Sequence, residues 1–123
     1  MKISEIMHTS LTTAEAETSL GEAATLMGER GVGSVLIVDG ETLLGILTER
    51  DLVRALSSEF DAPQRPVVEW MTKGPVTVTP DVDTREALRV MMDGGFRHLP
   101  VCDGDRLVGV ISIRDLAGAI ADA

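Results

Sequence analysis

Apolar residues recur along this chain in two rhythms. From Leu20 to Arg30 (LGEAATLMGER) and from Thr84 to Gly94 (TREALRVMMDG), Leu, Ala and Met return every three or four residues, the spacing of one buried helix face. Ser19-x-x-Glu22 and Asp83-x-x-Glu86 precede these runs as capping boxes, and Gly31 and Gly95 close them. Two short apolar runs follow each helix, SVLIV and LLGIL in the first half, HLPVC and LVGVI in the second. Asp39-Gly40 and Asp103-Gly104 separate the runs; this residue pair tolerates positive φ, so each predicts a hairpin turn. A last helical run, ERDLVRAL or RDLAGAI, ends each half. With a short leading strand, the order is strand, helix, strand, strand, helix, twice over.

The halves are one unit written twice. A shift of 64 residues aligns Ile3 to Leu56 with Val67 to Ile120 without a gap. Glu5, Met7, Thr13, Glu22, Ala23, Met27, Gly31, Asp39-Gly40, Gly45 and Arg50-Asp51-Leu52 each meet the same residue in the second copy. Such a register marks a duplication. Residues 57–66, SSEFDAPQRP, are rich in Ser, Pro and polar groups and read as a linker, dividing the chain into repeats 1–60 and 61–123. Neither half can hide its sheet face alone. The expected fold class is therefore α+β, two β-α-β-β-α repeats packed sheet to sheet about a pseudo-twofold axis.

Composition narrows the function. The chain has 123 residues, 44% of them hydrophobic, so a core can be built, but aromatics make up only 2% (Phe60, Phe96 and Trp70) and no aromatic sandwich is available to a ligand. The methionines Met7, Met27, Met71, Met91 and Met92 read as core, and Trp70 as a ring buried where the linker docks. Twenty acidic against 11 basic residues give a net charge of -9, which opposes binding to nucleic-acid phosphates. A small anion remains possible, because distant charge is screened within about 8 Å at physiological salt. Cys102, the single cysteine, reads as a small buried hydrophobe. No signal core and no membrane-length apolar run is present, so the expectation is a soluble cytoplasmic protein with no membrane partner. There is no phosphate loop, no H-E-x-x-H and no paired cysteine, and the only histidines are His8 and His98; neither an enzyme nor a metal site is expected.

The most informative motif is Thr48-x-x-Asp51, repeated as Ser112-x-x-Asp115 where a strand-like run gives way to a helix. One reading is local: the hydroxyl and the acid form a capping box. The other is chemical. Asp is shorter than the Glu or Gln that usually closes the box, and a carboxylate left pointing outward can accept from the vicinal hydroxyls of a ribose, while the helix start favours phosphate. Arg97 and His98 read either as a phosphate-binding pair or as an exposed strand start, and Arg50 and Arg114 either as site residues or as helix surface.

The doubled unit, its Asp-Gly turns, its GILTERD and GVISIRD segments and RHLPV before the second turn together resemble a tandem pair of CBS domains, the Bateman module. The resemblance covers nearly the whole chain. It implies a regulatory protein binding adenosine nucleotides or related compounds, such as AMP, ADP, ATP, NAD or S-adenosylmethionine, in clefts between the repeats. It further implies one site using Ile46, Thr48 and Asp51 with Val76, Phe96, Arg97 and His98, and another using Val110, Ser112 and Asp115 with Thr12, Val32, Gly33 and Ser34. Arg97-His98 is similar to the basic pair that meets phosphates in the AMP-binding γ subunit of the AMP-activated kinase, in reversed order, whereas the first copy has Gly33-Ser34 there. The nucleotide is expected as a regulatory ligand, with no required cofactor. The family's pairing of modules implies a homodimer, and output through an unidentified regulated protein or the chain's own assembly. The alternative is an interaction module without a ligand.

Overall fold

The computed structural model describes residues 1–122. The chain forms two compact units, one of Thr12–Pro75 and one joining Met1–Leu11 to the residues from Val76 onward. Each unit holds the body of one copy and the leading segment of the other.

In the unit Thr12–Pro75, β1 (Thr13–Ala14) runs parallel to β2 (Ser34–Asp39), which forms an antiparallel hairpin with β3 (Thr42–Thr48). α1 (Leu20–Arg30) precedes the hairpin and α2 (Glu49–Ser58) follows it; β4 (Thr72–Lys73) adds antiparallel to β3. The core joins Leu20, Ala23 and Met27 of α1 to Val35, Ile37, Leu47, Ala55, Ala62 and Val67. Residues 57–66 are therefore not a loose tether. Ala62–Gln64 is a 3-10 turn with Ala62 fully buried, and the Leu20 N–H donates to the Arg65 carbonyl at 2.9 Å. The small Ala62 and the following Val67 supply the anchors that the polar composition hides.

In the other unit, α3 (Thr84–Gly94), β5 (His98–Asp103), β6 (Arg106–Ser112) and α4 (Ile113–Ala121) repeat the order. Ile3, Val78, Ala87, Met91, Leu99, Val101, Ile111 and Leu116 form its core. Ile3 opens a 3-10 turn and is fully buried, the counterpart of Val67. Burying one such side chain contributes about 1.5–3 kcal/mol, which fastens each leading segment.

Both long helices run as the periodicity predicts, closed by Gly31 (φ 63°) and Gly95 (φ 71°) in the left-handed conformation. Their N-terminal boxes are incomplete. Ser19 Oγ accepts from the Glu22 N–H, but the Glu22 carboxylate takes the Ser19 hydroxyl; Asp83 accepts from Arg85 N–H one position earlier than expected. The hairpin turns also shift by one residue. Asp39 pairs with Thr42 and Asp103 with Arg106, so the two central residues are Gly40-Glu41 and Gly104-Asp105, with Gly supplying φ 61° and 62°.

The duplication repeats Gly45 and Gly109 for a spatial reason. A Cβ on Gly45 would lie 2.6 Å from Met71 Sδ and 2.7 Å from the Thr72 carbonyl oxygen; one on Gly109 would lie 2.6 Å from Met7 Sδ and 3.2 Å from the His8 carbonyl oxygen. In each unit a leading segment crosses the strand where it has no side chain. Met27 and Met91 are buried as expected, and Met7 and Met71 half-buried, but Met92 is 68% exposed on the outer face of α3 and is not core. Trp70 is half-buried and packs on the cluster that contains Ala62 and Val67. Cys102 is buried, and burial, with Asp105 nearby, pushes its thiol pKa up.

Candidate ligand-binding site

Each closing helix begins at the hydroxyl of the repeated motif, and the box closes in both copies. In the first, Thr48 N–H donates to Asp51 Oδ2 at 2.9 Å, the Thr48 hydroxyl to the same oxygen at 3.1 Å, and Asp51 N–H returns to Thr48 Oγ1 at 3.4 Å. In the second, the corresponding distances are 2.9, 2.8 and 3.2 Å between Ser112 and Asp115. The expected outward-pointing acid is thus corrected. The cap residue's backbone N–H is a donor that must be satisfied, and Asp is long enough to reach it. The box uses Oδ2 only, however, and a carboxylate has a second oxygen.

That second oxygen differs between the copies. Asp51 Oδ1 accepts from Arg54 Nη1 at 3.2 Å, and the Arg54 guanidinium stands 5.7 Å from the centre of the Trp70 ring. Asp51 is 4% exposed. Asp115 Oδ2 faces His8 Nε2 at 3.1 Å, and no hydrogen bond reaches its Oδ1 among the described residues. Burial pushes the Asp115 pKa up, but the Ser112 N–H and hydroxyl and the His8 ring outweigh it and hold the carboxyl below its ordinary range. His8 is fixed by its backbone, which exchanges two hydrogen bonds with Val110 at 2.9 and 3.0 Å.

The other expected residues are divided between the two units. Ser34 pairs with Thr48 across the β2–β3 hairpin, the Gly33 carbonyl accepts from Glu49 N–H at 3.2 Å, and the Thr12 carbonyl accepts from Leu36 N–H at 3.0 Å. Ile46 and Thr12 are buried, whereas Val32 is 37% exposed. In the other unit, His98 pairs with Ser112, and the Arg97 carbonyl accepts from Ile113 N–H at 2.8 Å. Arg97 and Val76 are exposed, Val110 is half-buried, and the half-buried Phe96 ring lies over Gly94. Within each unit the structure joins the acid motif to the loop of its own copy. Sequence reasoning missed His8 and Arg54. The three-residue step from Asp51 to Arg54 on a helix was a readable signal; the contact of His8 with a residue 107 positions away gave none.

The family model for the CBS domain matches residues 3–58 and again 67–122. The chain belongs to the CBS-domain family, as a tandem pair. A 17.7 kDa protein of Acidianus ambivalens is 40% identical over 98% of this chain and 74% of its own length. The Arabidopsis thaliana protein CBSCBSPB1 is 39% identical over 90% of this chain, which spans 20% of that relative. Among solved structures, the CBS-domain protein ATU1752 from Agrobacterium tumefaciens superposes with a TM-score of 0.92 at 33% identity, covering 98% of this chain and 99% of that one. Two structures share the fold at lower identity. The CBS pair of MJ0100, in complex with methylthioadenosine and S-adenosylmethionine, has a TM-score of 0.91 at 24% identity (99% and 97% covered). CBSX2, in complex with AMP, has a TM-score of 0.86 at 23% identity (98% and 96% covered).

Proposed function

We propose that the chain is a regulatory CBS pair that senses an adenosine nucleotide or a related adenosine compound. The observation that carries this reading is the closed S/T-x-x-D box in both copies: one oxygen anchors each carboxylate at a helix start, leaving the other to accept from vicinal hydroxyls or a donor that stands in for them. The adenosine ligands of MJ0100 and CBSX2 support the class of ligand. The proposed contacts are Thr48, Asp51, Ser112 and Asp115 for ribose and Arg97 and His98 for phosphate. Ile46, Val76, Phe96, Val110, Thr12 and Val32 serve the base, and Gly33 and Ser34 are the second site's counterparts of Arg97 and His98. With so few aromatics, adenine is read by strand-edge N–H and C=O groups against aliphatic walls. The role is sensing rather than catalysis, and the ligand shifts conformational populations by its difference in affinity between them.

A second reading rests on a separate observation. Val53 (66% exposed) and Leu56 (60%) share a face of α2, and Phe60 just beyond it is 105% exposed. This apolar stripe supports an interaction module, with a homodimer as the first partner. A thermal-shift screen with AMP, ADP, ATP, NAD and S-adenosylmethionine, with CMP as control, separates the two. Stabilisation by adenosine compounds, about 2.7 kcal/mol at a hundredfold excess over Kd, is expected; no shift with any of them leaves only the interaction module.

A further inference from the structure

We infer that Arg54 is a guard on Asp51 and a determinant of which acid a ribose reaches first, an inference that rests on the adenosine reading above. Asp51 and Asp115 have the same box and the same helix start, yet only Asp51 has its second oxygen taken, by Arg54 Nη1 at 3.2 Å. A guanidinium is a stronger donor to a carboxylate than a neutral hydroxyl. A ribose therefore enters at Asp51 only by displacing Arg54, whereas Asp115 Oδ1 has no hydrogen bond to give up among the described residues. His8 does not play the same part, because it meets Oδ2, the oxygen already committed to the box.

The guard belongs to one copy. The duplication places Gly118 where the first copy has Arg54, and Ile6 where it has Trp70. Nothing lies within 4 Å of where a Gly118 Cβ would stand, so the second copy has room for the side chain it lacks. The Trp70 ring at 5.7 Å from the Arg54 guanidinium helps hold the arginine over α2. Arg54 is 56% exposed, so its pairing with Asp51 is partly screened by solvent. The handicap at Asp51 is accordingly about two- to fivefold in affinity, the upper part of the range for a solvent-screened ion pair.

The test uses the full chain and adenosine, which has the ribose diol but no phosphate. A 15N-resolved NMR titration follows the Thr48 and Asp51 amides for one acid and the Ser112 and Asp115 amides for the other. In the wild-type chain the Ser112 and Asp115 amides reach half-shift at about two- to fivefold lower adenosine. Arg54→Gln lowers the Thr48 and Asp51 midpoint by that factor and leaves the other pair unmoved, while Gly118→Arg raises the Ser112 and Asp115 midpoint. Both substitutions sit on exposed helix positions, and the second raises helix propensity. If both amide pairs respond but neither variant moves its midpoint, or if Arg54→Gln weakens binding at Asp51, the guard is overturned while the adenosine reading stands. If adenosine moves neither pair at millimolar concentration, the adenosine reading falls and the guard with it.

Discussion

Replacing Gly45 by Ala puts a methyl group 2.6 Å from Met71 Sδ and 2.7 Å from the Thr72 carbonyl oxygen. The sulfur sits on a flexible side chain, but the carbonyl belongs to β4, which Ile46 and Gly45 pair with Thr72 and Lys73. Backbone must therefore move. Overpacking of this kind costs about 1–3 kcal/mol, against which the stiffer unfolded chain returns about 0.4–1 kcal/mol. The net loss is about 1–2 kcal/mol, or a fall in Tm of roughly 4–8 °C for a chain of this size. Gly109→Ala is the internal control. Its methyl meets Met7 Sδ at 2.6 Å, but the nearest backbone atom, the His8 carbonyl oxygen, is 3.2 Å away. A thioether can rotate aside, so the loss there is under about 1 kcal/mol and the fall in Tm under about 4 °C. Thermal and urea unfolding followed by circular dichroism measures both. Gly45→Ala as stable as the wild type, or Gly109→Ala the more damaging of the two, would mean that the β4 backbone does not set the cost.

Three further outcomes are expected. Because the folded Asp115 pKa lies below its unfolded value of about 3.9, its contribution is complete above that pH and is lost as pH falls through the folded pKa. Asp115→Asn therefore loses less stability than the wild type between about pH 5 and pH 2 in urea titrations, and parallel curves contradict the assignment. Arg97→Ala weakens AMP by roughly tenfold, the worth of one charge-assisted hydrogen bond, while leaving adenosine nearly unchanged; calorimetry showing equal losses removes Arg97 from the phosphate. Sedimentation at micromolar concentration gives a dimer that Phe60→Ser drives towards monomer, and a monomeric wild-type chain ends the homodimer reading.

Much of the fold was legible because its signals are local. Ser19 and Asp83 open their helices and Gly31 and Gly95 close them within a few residues, so the helices Leu20–Arg30 and Thr84–Gly94 follow from spacing alone. The Asp-Gly turns were located but misplaced by one residue, since composition shows that a glycine is needed and only strand register shows where. What stayed hidden depends on partners far apart in sequence. A 3-10 turn anchored by one buried residue, Ile3 or Val67, has no periodicity to betray which unit it joins. The acid motif showed both of its readings, but which carboxylate oxygen the box takes and which it leaves required knowing that the Thr48 and Ser112 backbone N–H groups claim Asp51 and Asp115 through Oδ2. Met92 misled because hydrophobicity alone cannot tell the inner face of α3 from the outer one.

The role proposed for the carboxylates of Asp51 and Asp115 is to accept from the vicinal diol of a ribose. Calorimetric titration of the full chain with AMP and with its 2′,3′-dideoxy analogue tests it most directly, because the two ligands share base and phosphate and differ only in the hydroxyls the acids would accept. Two lost hydrogen bonds to a charged acceptor predict that the dideoxy compound binds at least tenfold more weakly. Equal affinity for the two, or no binding of either, contradicts that role.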